Sequence, residues 1–260
     1  MNHLAPVIFV AGGSGGLGKS TTARAIVHAL GQRRMRTVLI DGNLGQQSQR
    51  AFLHVKTGGL EDAALDSIAG ALIMPNRTHA TFTLLPGPVD PMRNDLVGLY
   101  GSAITALQTS SDIIIVDADR VDATLWNTPS TFAGGIMRPM INLGLARMIF
   151  IIGSSGSQLD DGLDALDAIR QPQRILAIAQ TGQLAKPRPE TGWRQVTSRV
   201  AQWGGICQWD KTSTMMLGQG KPGYPMGQDP NGSPTRACGR ADGKPTSHHN
   251  RSGVDGDARR

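Results

Sequence analysis

The sequence predicts an α/β fold, a mostly parallel sheet with helices on both faces. Three observations predict it. Short, unbroken apolar runs alternate with longer stretches of helical periodicity from residue 5 to about residue 206. Such runs read as strands buried on both faces, and the crossovers that join parallel strands supply the periodic stretches. A Gly-rich segment follows the first run at once, and two later runs end in Asp41 and Asp117. Ligands of open α/β sheets bind outside the carboxyl ends of the strands, where such residues sit.

The elements follow in order. Val7–Val10 is the first strand. Ala23, Ile26, Val27 and Leu30 fall at i, i+3, i+4 and i+7 of a helix, with Gly31 as its expected stop. Thr37–Ile40 is a second strand and Phe82–Leu85 a third, closed by Pro86-Gly87-Pro88. A helix is expected over Met92–Leu107, then a fourth strand, Ile113–Val116. Trp126 is expected to pack against a neighbouring helix, and the Met-rich stretch Ile136–Met148 to fill core or a helix seam. The fifth strand is Met148–Ile152, ending at Gly153. Leu159, Leu163, Leu166 and Ile169 mark the next helix. Its Asp160, Asp161, Asp164 and Asp167 read as a solvated face rather than a metal site. Ile175–Ala179 is the sixth strand, and Trp193, Val196, Val200 and Trp203 predict a last helix.

Composition limits the function classes. No run of 18 apolar residues occurs, so no transmembrane helix is expected. Met1, Asn2, His3 and Leu4 lead straight into an apolar run without the basic region of a secretory signal. The two cysteines, Cys207 and Cys238, form neither a disulfide framework nor a four-cysteine metal site. The expectation is a cytoplasmic protein. Residues 211–260 hold eight Lys/Arg against four Asp/Glu, with nine Gly and five Pro. Leu217 and Val254 are the only Leu, Ile, Val or Phe among them. Too little apolar surface is present to offset the entropy of ordering. We therefore expect a folded domain over residues 1–206 and a basic, Gly/Pro-rich disordered tail over residues 207–260.

The segment after the first strand is Gly12-Gly13-Ser14-Gly15-Gly16-Leu17-Gly18-Lys19-Ser20-Thr21. From Gly13 it matches G-x-x-x-x-G-K-[ST], the phosphate-binding P-loop. Backbone N–H groups can turn inward around phosphate oxygens only where several residues lack a Cβ. The following helix adds its N-terminal dipole and Lys19 a point charge. Ser20 offers the hydroxyl that holds Mg²⁺. Gly13, Ser14, Gly15, Gly16, Leu17, Gly18, Lys19, Ser20 and Thr21 are thus the candidate nucleotide-binding residues. Asp117 matches a Walker B carboxylate, and Asp41 ends a strand at the same edge. Lys19, Asp41 and Asp117 are the candidate catalytic residues, and Ser20, Asp41 and Asp117 the candidate Mg²⁺ ligands.

On these residues the chain resembles the ParA/MinD group of P-loop ATPases, which includes plasmid partition and mobilisation proteins. The likeness runs through Gly13–Thr21, beside that family's G-K-G-G-V-G-K-T-T, then Val38–Asp41, Ile113–Asp117, and Ile151-Ile152 with the Ser157–Arg170 helix. It spans roughly residues 5–185. The resemblance implies ATP and Mg²⁺ as cofactors and a nucleotide-dependent homodimer. It further implies a DNA-bound partner protein or relaxosome component. It also places an adenine-reading residue near the end of the sixth strand, where Gln180 stands.

Two departures bear on hydrolysis. The signature lysine, second in the family's loop and directed at the dimer partner's phosphates, is Ser14 here. The second Asp of the family's D-x-D segment, linked to positioning the attacking water, is Asn43. An amide keeps hydrogen bonding but loses charge and basicity. Iron–sulfur carriers need paired cysteines, membrane-cycling relatives a C-terminal amphipathic helix, and tyrosine kinases a Tyr cluster. None is visible, so DNA partition or mobilisation remains. Three readings stay open: an ATPase with slow intrinsic turnover, an ATP-dependent switch or adaptor that hydrolyses little, and a small-molecule kinase using Arg120, Arg138 or Arg147. The tail could also hold DNA weakly through phosphates.

Overall fold

The strands are β1 (Val7–Gly12), β2 (Thr37–Gly42), β3 (Thr83–Leu85), β4 (Ile113–Arg120), β5 (Ala146–Gly153), β6 (Ile175–Thr181) and β7 (Gln202–Gln208). They form one sheet in the order β3-β2-β4-β1-β5-β6-β7, with every neighbouring pair parallel. The helices are α1 (Lys19–Gln32), α2 (Ser48–Phe52), α3 (Asp62–Leu65), α4 (Ile68–Ala71), α5 (Leu96–Gln108), α6 (Ala123–Asn127), α7 (Arg138–Asn142), α8 (Gly156–Ile169) and α9 (Arg194–Thr197). A π-turn, Ala133–Met137, leads into α7. This computed structural model describes residues 4–56, 58–65, 67–75, 80–181 and 190–208. The predicted tail lies outside the described residues, apart from Cys207 and Gln208, which end β7.

The central strands β1, β2 and β4 bury both faces. Val10, Leu39 and Ile115 pack with Ala23 and Val27 of α1, while Phe9, Ile40, Ile114 and Val116 pack with Tyr100 and Ile104 of α5. Alternate side chains of one strand thereby meet helices on opposite sides of the sheet. Trp126, Met137, Ile141 and Met148 are buried in that core, as a seam-filling role requires, whereas Leu143 and Leu145 are exposed.

Three differences from the sequence reading have physical causes. Helix α1 runs through Gly31, and the left-handed residue after it is Arg34. Gly31 is a close-approach position: a Cβ there would lie 2.1 Å from the Thr81 carbonyl oxygen. Helix α5 starts at Leu96 rather than Met92, because the Asp90 carboxylate accepts the Met92 N–H and holds a turn. The Trp193–Trp203 segment is not one helix but the short α9 followed by strand β7. Two glycines in Gln202–Gln208 hid that strand, since Gly is poor in strands; Gly204 packs so near β6 that a Cβ would meet Ile178 at 3.0 Å. The solvated face read for α8 is present, since Asp160, Asp161, Asp164 and Asp167 are all exposed, and Asp161 also accepts from Ser14 in the loop after β1.

Candidate functional site

The loop between β1 and α1 lies at the carboxyl edge of the central strand. Gly16 and Gly18 adopt φ of 70° and 75°, a region L side chains rarely enter, and Gly18 caps α1. Gly13 is forced by crowding: its Cβ would sit 2.5 Å from the Asp161 carbonyl oxygen on α8. Gly15 and Gly16 face open space instead. The loop is thus clamped at one end and exposed at its crest. Lys19, only 6% exposed, donates from Nζ to the Ser14 carbonyl at 2.8 Å, so the ammonium curls back over the loop. Burial lowers its pKa, and the charges of Asp119 and Asp117 work against that shift. Leu17 anchors the loop in the core cluster beneath α1, and Ser20 and Thr21 open the first turn of the helix.

Asp41 and Asp117 are register partners on adjacent strands, and both are fully buried. Burial pushes the Asp41 carboxyl up to about 8, with the Asp117 charge adding to the rise. Burial also pushes Asp117 up to about 6, against hydrogen bonds from Gln49 and Ser20 and the nearby charges of Arg24 and Lys19. Asp41 Oδ1 accepts from the Asn43 N–H at 3.4 Å, and Asp117 Oδ2 from Gln49 Nε2 at 2.7 Å. The other oxygen of each, Asp41 Oδ2 and Asp117 Oδ1, is buried without a partner. A buried carboxylate oxygen left in that condition is costly. A cation between the two strand ends would satisfy both.

The residues that sequence reasoning singled out therefore converge on one strand edge, with two qualifications. Gln180, one residue before the end of β6, lies beside Gly153 of β5 and is buried, two strands from the loop. Asn43 is buried, but its Oδ1 accepts the Gln46 N–H at 3.0 Å, so the side-chain oxygen closes its own turn. Ser14 donates to Asp161 Oδ2 at 2.5 Å.

Three residues were missed. Gln49, fully buried on α2, reaches Asp117 and also donates to the Ser20 carbonyl at 3.1 Å. No sequence signal marks it, since Gln46-Gln47-Ser48-Gln49 reads as a polar loop. Asp119 is the largest charge raising the Lys19 pKa and accepts the Gly45 N–H at 3.2 Å. Here a signal existed: Asp119 stands two residues beyond Asp117, still within β4. Arg24, one turn along α1 from Ser20, is buried with its guanidinium 3.5 Å from the centroid of the Phe52 ring.

Among the described residues no group of three or more His, Cys, Asp or Glu could hold a metal ion by itself. Two carboxylates and one hydroxyl do fit Mg²⁺, which keeps several waters and takes few protein ligands beside substrate phosphates. A β-strand, a glycine loop closed on a buried lysine, a helix N-terminus and a carboxylate at the adjacent strand end together define a P-loop nucleotide-binding domain. The chain belongs to the CobQ/CobB/MinD/ParA nucleotide binding domain family, which it matches over residues 8–186.

Solved structures share the fold at low identity. A ParA family ATPase from Chlorobium tepidum TLS is 14% identical with a TM-score of 0.64, over 84% of this chain and 90% of that one. The septum site-determining protein MinD from Pyrococcus horikoshii OT3, complexed with Mg-ADP, is 17% identical with a TM-score of 0.61, over 84% and 87%. A Borrelia burgdorferi B31 protein described as a plasmid partition protein, bound to AMPPNP, is 14% identical with a TM-score of 0.61, over 86% and 93%. No curated protein sequence matches the chain. No helix among the described residues is long and apolar enough to cross a membrane.

Proposed function

We infer that this chain is a Mg²⁺-dependent, ATP-binding ATPase of the ParA/MinD type that acts in plasmid partition or conjugative mobilisation and turns over slowly on its own. The observation that carries the nucleotide part is the pairing of the closed glycine loop around Lys19 with two buried carboxylates, each holding one unpartnered oxygen. The biological role rests on family membership and on the neighbours described as plasmid partition or ParA proteins.

The residues take these roles. Backbone N–H groups of Gly13–Lys19 surround the β- and γ-phosphates, and Lys19 leaves the Ser14 carbonyl to meet them. Ser20 and Asp117 would hold the Mg²⁺, with Asp41 beside them. The ion, when bound, neutralises charge on the β- and γ-phosphate oxygens. Gln180 is the candidate contact to the adenine. In hydrolysis a water oxygen attacks the γ-phosphorus as the bond to the β,γ-bridging oxygen breaks. ADP leaves with that electron pair, and the water proton passes to phosphate.

Slow turnover follows from two residues. Ser14 brings no cation to a partner's phosphates, and Asn43 brings no carboxylate to the water. The second reading, a switch that hydrolyses little, draws on the same pair, because Ser14 is tied to Asp161 and the Asn43 oxygen is engaged by Gln46. The working form would be a nucleotide-dependent homodimer that recruits a DNA-bound partner protein or relaxosome component, without a membrane. Solution mass with and without Mg-ATP, together with steady-state ATP turnover with and without DNA, tests this. DNA-stimulated turnover supports the ATPase reading; ATP-driven dimerisation with no turnover supports the switch; absence of ATP binding overturns both.

A further inference from the structure

The buried oxygen atoms around the carboxylate pair number more than the pair itself supplies. Asp41 Oδ2, Asp117 Oδ1 and Gln49 Oε1 are all buried and all without a hydrogen-bond partner. Gln49 links the other two: its backbone N–H serves Asp41, and its side-chain amide serves Asp117 at 2.7 Å. The same amide donates to the Ser20 carbonyl at 3.1 Å, at the start of α1. Both Nε2 hydrogens are therefore engaged, and they fix which end of the amide faces inward. The acceptor end is left over, beside the residues that would hold Mg²⁺.

We propose that Gln49 is a positioning residue for that ion: Oε1 accepts a hydrogen bond from a water of the ion's hydration shell while Nε2 holds Asp117 in place. The proposal rests on the nucleotide-binding reading above. Water bound to a divalent cation is a strengthened donor and needs an acceptor that is not itself charged against its neighbours. Two carboxylates already stand here, and a third would add repulsion in a buried site. A carboxamide accepts without adding charge. The Asn43 oxygen already accepts the Gln46 N–H, whereas Gln49 Oε1 has no hydrogen-bond partner.

The placement of α2 explains how the amide is held. Arg50 donates to the carbonyls of Gly58 at 2.7 Å and Gly87 at 3.2 Å, and Gln47 donates to the Pro88 carbonyl at 2.6 Å. Phe52 lies under the Arg24 guanidinium. Residues on both sides of Gln49 are thus tied to other parts of the chain, which fixes the side chain in place.

The experiment measures binding of a fluorescent ATP analogue by the full chain, first in EDTA and then across a Mg²⁺ titration. Groups that orient metal ligands change metal affinity by about 10–100-fold when removed. Gln49→Leu should leave affinity in EDTA unchanged and raise the Mg²⁺ concentration needed for half-maximal enhancement by that factor. Gln49→Asn, which draws the same amide back by one methylene, should fall between wild type and Gln49→Leu, and it serves alone if the leucine variant does not fold. An unchanged Mg²⁺ titration in both variants overturns the proposal. So does an equal loss of affinity with and without Mg²⁺, which marks a packing role. Wild-type protein that binds no ATP in either condition overturns the nucleotide-binding reading itself.

Discussion

Ser14 Oγ donates to Asp161 Oδ2 at 2.5 Å, joining the glycine loop to α8 across 147 residues of sequence. Where the resemblance leads one to expect a lysine directed at a dimer partner's phosphates, this chain has a neutral hydroxyl engaged within the same chain. The Gly13 position reinforces the contact, because the loop backbone already touches the backbone of α8 there. The same carboxylate would attract a lysine installed at position 14.

Turnover should therefore rise in Ser14→Lys with Asn43→Asp, and rise further when Asp161→Asn frees the new ammonium. Cations supplied to a phosphoryl transition state are worth about 10³–10⁵ in rate in related enzymes. About a tenfold gain, well short of that range, is expected in the double variant, because Asp161 still holds the new ammonium. Single-turnover ATP hydrolysis measures it. A triple variant no faster than wild type assigns the slow step to other residues.

Lys19→Ala should weaken ATP binding. The loop N–H groups remain, but the buried cation goes, along with a charge-assisted bond of roughly 1.5–3 kcal/mol. That corresponds to a dissociation constant about ten- to a hundredfold higher, read by titration with a fluorescent analogue. Because Lys19 is buried and the charges of Asp119 and Asp117 favour its ammonium, the variant also removes a cation that those carboxylates face. Unchanged affinity would remove the basis for the phosphate-loop reading.

What was legible in the sequence was what periodicity and local chemistry specify. Six strands stood out as apolar runs, and Lys19, Ser20, Asp41 and Asp117 as residues at strand or helix ends. Strand β7 was not legible, because Gly204 reflects packing against β6 and Gly205 a positive φ of 92°, rather than strand propensity. Gln49 was not legible because its role depends on where α2 lands, and no local pattern encodes that. Gly31 was misread for the same reason: its partner, Thr81, is fifty residues away. Asn43 was identified as a changed residue, but its hydrogen bond to Gln46 needed the turn itself.

Asp41→Asn should stabilise the nucleotide-free protein, and the gain should grow with pH. The folded-state pKa of about 8 lies above the ordinary aspartate value of 3.8. The folded state thus favours the protonated acid. Its contribution is full below about pH 4 and is lost as the pH rises through about 8. Wild-type protein should lose stability across that window, whereas the asparagine variant loses less. Each kcal/mol amounts to roughly 2–4 °C in Tm for a domain of this size. Melting curves at pH 5, 7 and 8.5 without Mg²⁺ check it. A Tm difference independent of pH shows that Asp41 is not the titrating group. With Mg-ATP present the order should reverse, since the charged carboxylate then has its counterion.

Residues beyond β7 should be dispensable for folding, while β7 itself should not. Strand β7 pairs with β6 from Leu176 to Thr181, and its Trp203 ring lies 5.6 Å from that of buried Trp193. Truncation after Asp210 keeps that strand and removes a segment with Leu217 and Val254 as its only Leu, Ile, Val or Phe. Its melting temperature and ATP affinity should match those of the full chain. Truncation after Ala201 removes β7, uncovers the edge of β6 and should lower the melting temperature sharply. The eight cations past residue 210, spaced among Gly and Pro, suit loose contact with DNA phosphates. Such contact ignores base sequence and weakens steeply with salt, because each neutralised phosphate releases counterions. DNA retention across a salt series then decides the tail's role. A shallower salt slope after truncation at Asp210 marks a DNA-holding arm. An unchanged slope makes the tail an inert extension, and a chain that fails to fold places the domain boundary further along the sequence.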